Sequence, residues 1–311
     1  MRPYRCTPLE SRTPSAAVAH RDETLLISFW LFSMQYASLM ARTDPQDNAT
    51  AGLGASDVSS EGFMDNFSLL SWVVCGLSAF LIGLSKTGLP GVGILSVLLA
   101  AFVIPARAST GLVLPMLIVG DLFAVSYYHR HAVWRHLVML LPFAVVGVVI
   151  GYFAMGFVDD KQLGKIIGGI VLVLLCVNAL WTRVAKGQDA VPSGWWFAGV
   201  LGLLAGVTTM MANAAGPIMI IYLLAMRLPK EEFVGTGAWY FLIVNCFKVP
   251  FSWTLGLITL SSLKFNLMLC PLVVLGALVG IPLFKRIPQK YFKVVVEVLA
   301  AAAALKLLLL P

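Results

Sequence analysis

Apolar runs of 14 to 24 residues, separated by short polar loops, occupy most of the chain after residue 66. Because a helix needs about 20 apolar residues to cross the hydrocarbon core of a bilayer, this pattern is typical of membrane-spanning helices. It predicts an all-α, polytopic transmembrane helical bundle. The ten segments lie at approximately 67–84, 89–104, 109–128, 137–157, 162–181, 195–211, 214–227, 233–256, 265–285 and 291–310.

Two pairs of these segments are short, and each pair is divided by a break of small and polar residues. The breaks are Gly83–Gly93, G-L-S-K-T-G-L-P-G-V-G, and Val207–Pro217, V-T-T-M-M-A-N-A-A-G-P. Lys86 and Asn213 each stand four residues before the proline of their break. Non-helical backbone at membrane depth is tolerated only inside protein or around a water-filled cavity. Breaks at corresponding places in two halves therefore predict a binding site.

The spacing of polar residues indicates an internal repeat. Pro105 lies sixteen residues before Asp121, and Pro229 lies sixteen before Asn245. Each half then holds a short, broken helix pair followed by three full spans, and an odd number of segments makes the two repeats inverted. We predict a first transmembrane repeat at 66–186 and a second at 187–311. The G-x-x-x-G pairs Gly147/Gly151 and Gly276/Gly280 predict close helix packing.

Composition and charge agree with a membrane protein. The chain is 59% hydrophobic and only 12% charged, which excludes an ordinary soluble domain. Its net charge of +7 comes from basic residues in loops, so topology explains it better than a nucleic-acid partner does. Ten basic residues fall on one side, which we assign to the cytoplasm, and five on the other. The ten are Arg130, Arg135, Arg183, Lys186, Arg227, Lys230, Lys285, Arg286, Lys290 and Lys293, and the five are Arg42, Arg107, Lys161, Lys165 and Lys264.

Residues 1–65 form a polar N-terminal extension that contains one apolar stretch at 24–41. The stretch is consistent with an accessory helix, with a signal segment, or with a start codon placed too early, because Met64 would begin a shorter chain. We favour the accessory helix or the misplaced start. None of the functional predictions depends on this extension.

Lys86 is the sharpest candidate for a binding residue. An ammonium near the bilayer centre costs about 2.5–3.5 kcal/mol on insertion scales, so it needs a compensating role. Together with the N-termini of the half-helices, it predicts a site for a small anion. The alternative is that Lys86 extends to a cytoplasmic loop. The residues predicted to bind the anion are Lys86, Thr87, Gly88, Thr208, Thr209 and Asn213.

Three further polar residues lie within long apolar segments: Asp121, Asn245 and Lys248. Ionisable residues inside a membrane bundle are functional candidates, and we predict that these three couple or gate transport. The alternative is a structural ion pair between Asp121 and Lys248.

The sequence contains no motif for a metal site, a cofactor or a catalytic centre. His129, His131 and His136 lie in a basic loop without carboxylate or cysteine partners, so we predict neither a bound metal nor a cofactor. The five cysteines are isolated. We predict a protein that is not an enzyme. A membrane-embedded enzyme and an accessory membrane subunit with a polar pocket remain the alternatives.

Three stretches carry a resemblance to a known family. G-L-S-K-T-G-L-P-G, A-N-A-A-G-P-I-M and V-G-T-G-A-W-Y-F-L-I-V-N-C-F-K-V-P resemble the TauE/SafE family of sulfite exporters, in the right order over roughly residues 66–310. The resemblance implies a secondary transporter that moves sulfite, an organosulfonate or a similar small anion across the plasma membrane. The expected partners are that anion and the lipid bilayer, with no nucleic acid, and assembly into a homo-oligomer stays open.

The charge distribution predicts which loops face the outside. Single cysteines at positions 134 and 289 should be protected from an impermeant thiol reagent added to intact cells, whereas one at position 160 should be labelled. Equal labelling at positions 160 and 289 would contradict the inverted repeat.

Overall fold

The computed structural model describes residues 68–88, 92–159, scattered positions between 161 and 176, and 194–286. The described residues all belong to one compact unit. The predictions for residues 1–65 and for the segment at 291–310, and most of those for the segment at 162–181, lie outside the described residues.

The described part of the chain is helical and contains no strand, which confirms the predicted all-α bundle. Five of its helices are long and apolar enough to cross a membrane. The helices are α1 (Leu69–Thr87), α2 (Val92–Val103), α3 (Ala106–Tyr128), α4 (Trp134–Met155), α5 (Trp195–Ala212), α6 (Gly216–Ala225), α7 (Lys230–Thr254) and α8 (Leu260–Arg286), with a 3₁₀ turn at His129–His131.

The two predicted breaks separate long helices from short ones. Helices α2 and α6 have 12 and 10 residues. At about 1.5 Å per residue, neither can cross a hydrocarbon core of about 30 Å. Helix α5 ends because Asn213 adopts a left-handed conformation (φ 49°, ψ 29°), and Pro217 lies in the first turn of α6, where its missing N–H costs nothing.

Helices α1 and α8 approach so closely that a glycine is required at their contact. A Cβ atom on Gly83 would lie 1.9 Å from the carbonyl oxygen of Val273, and one on Gly276 would lie 2.0 Å from that of Phe80. Backbone therefore packs directly on backbone, as small residues allow in membrane helices.

Helices α4 and α5 make the same kind of contact. A Cβ atom on Gly147 would lie 2.2 Å from the carbonyl oxygen of Leu203, and one on Gly206 would lie 2.1 Å from that of Ala144. Gly151 and Gly280 are close-packed as well, so both predicted G-x-x-x-G pairs lie at helix contacts.

Corresponding helices of the two halves exchange partners in this packing. The first helix of each half, α1 or α5, packs on the full-length helix of the other half, α8 or α4, while α3 and α7 pack on each other. Such an exchange is what a two-fold relation between the halves would produce. The inverted orientation and the boundary between residues 186 and 187 stay predictions.

The glycine contacts lead to a prediction on stability. Gly206→Ala should lower the stability of the purified protein by about 1–3 kcal/mol, because the new methyl group overlaps the α4 backbone. Gly237→Ala is the matched control on α7, since its Cβ would meet only Leu223 at 3.6 Å. Thermal unfolding of the two variants tests this, and equal melting temperatures would contradict the close α4–α5 contact.

Candidate functional site

An open cavity lies where the two breaks meet α7. Most of its wall is apolar, and Lys86 is the only charged residue among the described residues that line it. The polar side chains that line it are Ser85, Lys86, Thr209, Asn213 and Asn245. The structure thus brings residues from both halves of the sequence to one cavity.

The side chain of Lys86 lies in the last turn of α1 and turns into the bundle. It is 11% exposed, and its Nζ lies 2.7 Å from Oδ1 of Asp121. The same Nζ lies 4.1 Å from the centroid of the Phe241 ring, which is a cation–π contact. The C-terminal end of α1 also favours a positive charge. Lys86 therefore does not extend to a loop, and that alternative is wrong.

Asp121, in the middle of α3, is fully buried and has a partner for each oxygen. Lys86 contacts Oδ1, and the side-chain amide of Asn245 donates to Oδ2 at 2.7 Å. Among the described residues Lys248 makes no ion pair with Asp121, so the alternative of a structural Asp121–Lys248 pair is wrong. The predicted coupling or gating role of the three residues stays a prediction. The sequence could not decide between two lysines, because only the fold shows which one reaches the carboxylate.

Lys248 points instead to the end of α5. Its Nζ donates to the backbone oxygen of Thr209 at 2.6 Å, to Oδ1 of Asn213 at 2.5 Å and to Oγ1 of Thr209 at 3.3 Å. The residue is 1% exposed. Its three N–H donors are matched by three neutral oxygens.

Asn213 joins three helices at the second break. Its left-handed backbone ends α5, its Oδ1 accepts from Lys248 on α7, and its Nδ2 donates to the backbone oxygen of Thr110 on α3 at 2.9 Å. Asparagine tolerates this backbone better than most residues. The side chain therefore holds the break in place and cannot rotate freely toward a ligand.

Three of the predicted binding residues do not line the cavity. Thr87 donates through Oγ1 to the backbone oxygen of Ala277 at 2.7 Å, and Gly88 is where α1 packs on Gly280. Thr208 donates to the backbone oxygen of Leu204 at 2.8 Å. These contacts hold helices together, and a role of the three in anion binding stays a prediction.

Sequence reasoning missed Phe241, whose ring lies over Lys86. Its spacing provided a signal, because residues 241, 245 and 248 fall on one face of α7. Two histidines of the basic loop have different partners. His131 pairs with Glu231 at 3.1 Å, and His136 contacts the Tyr222 hydroxyl at 2.9 Å. The described part of the chain contains no cluster of three or more His, Cys, Asp or Glu side chains that could hold a metal ion.

The family model of the sulfite exporter TauE/SafE matches residues 75–307, which is most of the chain. The chain belongs to the TauE/SafE sulfite exporter family. It is 27% identical over 201 residues to the "probable inner membrane transporter protein TsaS" of Comamonas testosteroni, covering 63% of this chain and 81% of that one. No solved structure matches the chain significantly. Family and apolar helices together identify this TauE/SafE protein as a multi-pass membrane transporter.

The observed ion pair predicts how two double variants will differ. Asp121→Asn should destabilise the protein by about 3–5 kcal/mol, because it leaves the Lys86 ammonium without its carboxylate. Adding Lys86→Met should recover much of this loss, whereas adding Lys248→Met should not. Thermal unfolding of the three variants measures the coupling. If adding Lys248→Met restores stability and adding Lys86→Met does not, the Lys86–Asp121 pairing is contradicted.

Proposed function

We propose that this protein is a secondary transporter that moves a small anion, such as sulfite or an organosulfonate, across the plasma membrane. The observation that carries the proposal is the position of Lys86. Among the described residues, it is the one charged group that lines a largely apolar cavity between the two helix breaks. In such surroundings an ammonium attracts an anion more strongly than it would in water.

The buried charges of the site do not cancel. With Lys86 and Lys248 protonated and Asp121 ionised, the described part of the site carries one net positive charge. A bound monoanion would neutralise it. An ammonium has three donors, and Asp121 uses one of those on Lys86, so a bound anion can share the same nitrogen.

The beginning of α6 adds to the attraction. Gly216 and Pro217 line the cavity, so the first turn of α6 faces the same space as Lys86. The first N–H groups of a helix have no partner within it and carry a partial positive charge, which suits an anion. Thr209 supplies a hydroxyl in the lining.

Asp121, Asn245 and Lys248 would couple or gate this transport. Lys86 and Asn245 both contact Asp121, and Lys248 follows Asn245 by one turn on α7. An anion that binds Lys86 would weaken the attraction between Lys86 and Asp121. A proton taken up by Asp121 would break the same ion pair and free Lys86. Movement of the anion and of a proton would then be linked.

The test is anion uptake into proteoliposomes and anion-dependent protection against heat, with sulfite, sulfate, sulfonates and carboxylates compared. Lys86→Met is combined with Asp121→Asn, because the single variant would leave the Asp121 carboxylate without its partner. The double variant should bind the anion roughly tenfold to a hundredfold more weakly, since one charge-assisted hydrogen bond is lost. Lys86→Arg should retain part of the binding, because the charge survives and the shape changes.

Lys264→Met is the matched control, because it removes one exposed ammonium far along α8 from the cavity lining. It should bind the anion as the unmodified protein does. Anion affinity that is unchanged in the Lys86→Met protein would contradict the proposed site.

A further inference from the structure

Lys248 is a buried ammonium whose hydrogen-bond acceptors are all neutral oxygens. They are a backbone carbonyl and a hydroxyl from Thr209 and the amide oxygen of Asn213, at 2.6, 3.3 and 2.5 Å from Nζ. The carboxylate of Asp121 contacts Lys86 and Asn245 instead. Buried ammonium groups usually pair with a carboxylate, so this environment calls for a reason.

The three oxygens are gathered by the end of a broken helix. Thr209 lies in the last turn of α5, where carbonyl groups carry partial negative charge. Its carbonyl oxygen also accepts from the backbone N–H of Asn213 at 3.0 Å, so Lys248 uses the second lone pair of that oxygen. The left-handed conformation of Asn213 turns the chain there and places its side chain beside the same nitrogen. The Asn213 amide is fixed in turn by its bond to the Thr110 carbonyl.

Such a set of oxygens is also the environment of an alkali cation. Hard cations take oxygen ligands, and in transporters with broken helices the half-helix C-terminal ends and unwound carbonyls coordinate sodium. We propose that Lys248 is a tethered cation that occupies a monovalent-cation site formed by Thr209 and Asn213. The intact protein then needs no mobile sodium or potassium ion at this position.

The proposal predicts what removal of the lysine would create. Lys248→Ala would leave the three oxygens in place without a positive charge, and Thr209 and Asn213 also line the cavity, through which water and ions can enter. Lys248→Met would remove the same charge but keep the space filled with an unbranched side chain. Only the alanine variant should therefore acquire a site for sodium or potassium. This site exists whether or not the cavity accepts an anion, so it goes beyond the proposed function.

The experiment measures thermal unfolding of the purified full chain without any candidate substrate anion, in sodium, potassium or choline chloride at equal ionic strength. The unmodified protein should melt at the same temperature in all three salts. Lys248→Ala should melt roughly 3–5 °C higher in sodium or potassium than in choline at about ten times the dissociation constant, and the effect should saturate. Lys248→Met and the exposed control Lys264→Ala should show no such difference.

Adding Thr209→Val to Lys248→Ala removes the hydroxyl ligand while keeping the side-chain shape, and it should raise the half-saturating cation concentration several-fold. If Lys248→Ala folds only in sodium or potassium, the cation has replaced the ammonium and the proposal stands. The proposal is overturned if the alanine variant responds equally to all three salts, if the methionine variant responds as it does, or if the alanine variant folds in none of them.

Discussion

The rest of the structure depends on the burial of three charged side chains in one apolar core. Asp121 and Lys248 are 0% and 1% exposed, and Lys86 is 11% exposed along its side chain. An isolated charge in such surroundings costs several kcal/mol, so each must have a partner of suitable geometry. Lys86 and Asn245 satisfy Asp121, and Lys248 finds oxygens at the end of α5. Helices α1, α3, α5 and α7 are therefore fixed relative to one another by polar contacts as well as by packing.

The helix breaks make this arrangement possible. An uninterrupted helix satisfies its own carbonyl and amide groups, which leaves none for a buried ammonium or for an anion. Ending α5 at Ala212 places Asn213 where its side-chain oxygen accepts from Lys248, and the first residues of α6, Gly216 and Pro217, line the cavity. The close glycine contacts of α1 with α8 and of α4 with α5 hold the broken helices against full-length ones. The irregular backbone of the second break is enclosed by protein, since Ala214 and Ala215 are each 1% exposed.

Most of the fold could be predicted from the sequence, because length and hydrophobicity decide where membrane helices begin and end. The two short helices followed from Gly83–Gly93 and Val207–Pro217, and the family followed from the residues around the breaks. The contacts of Lys86 could not be predicted, because either lysine could have reached Asp121 and only the three-dimensional packing decides between them. Thr87 and Gly88 were predicted at the site for their place in the break, yet helix contact with α8 occupies both. A sequence shows which groups are available, and burial decides which of them are already used.

The differences between the two halves give the site its charge. The first break carries Lys86 where the second carries Asn213, and α3 carries Asp121 where α7 carries Asn245. Two copies of the first half would bury two Lys–Asp pairs with no net charge, whereas the second half contributes Lys248 without a carboxylate of its own. The two asparagines bind charged groups of opposite sign. Asn245 donates to the carboxylate of Asp121, and Asn213 accepts from the ammonium of Lys248. Since amides stabilise both signs of charge without adding any, neither asparagine cancels the excess positive charge of the two lysines. Among the described residues, the cavity reaches this charge at Lys86.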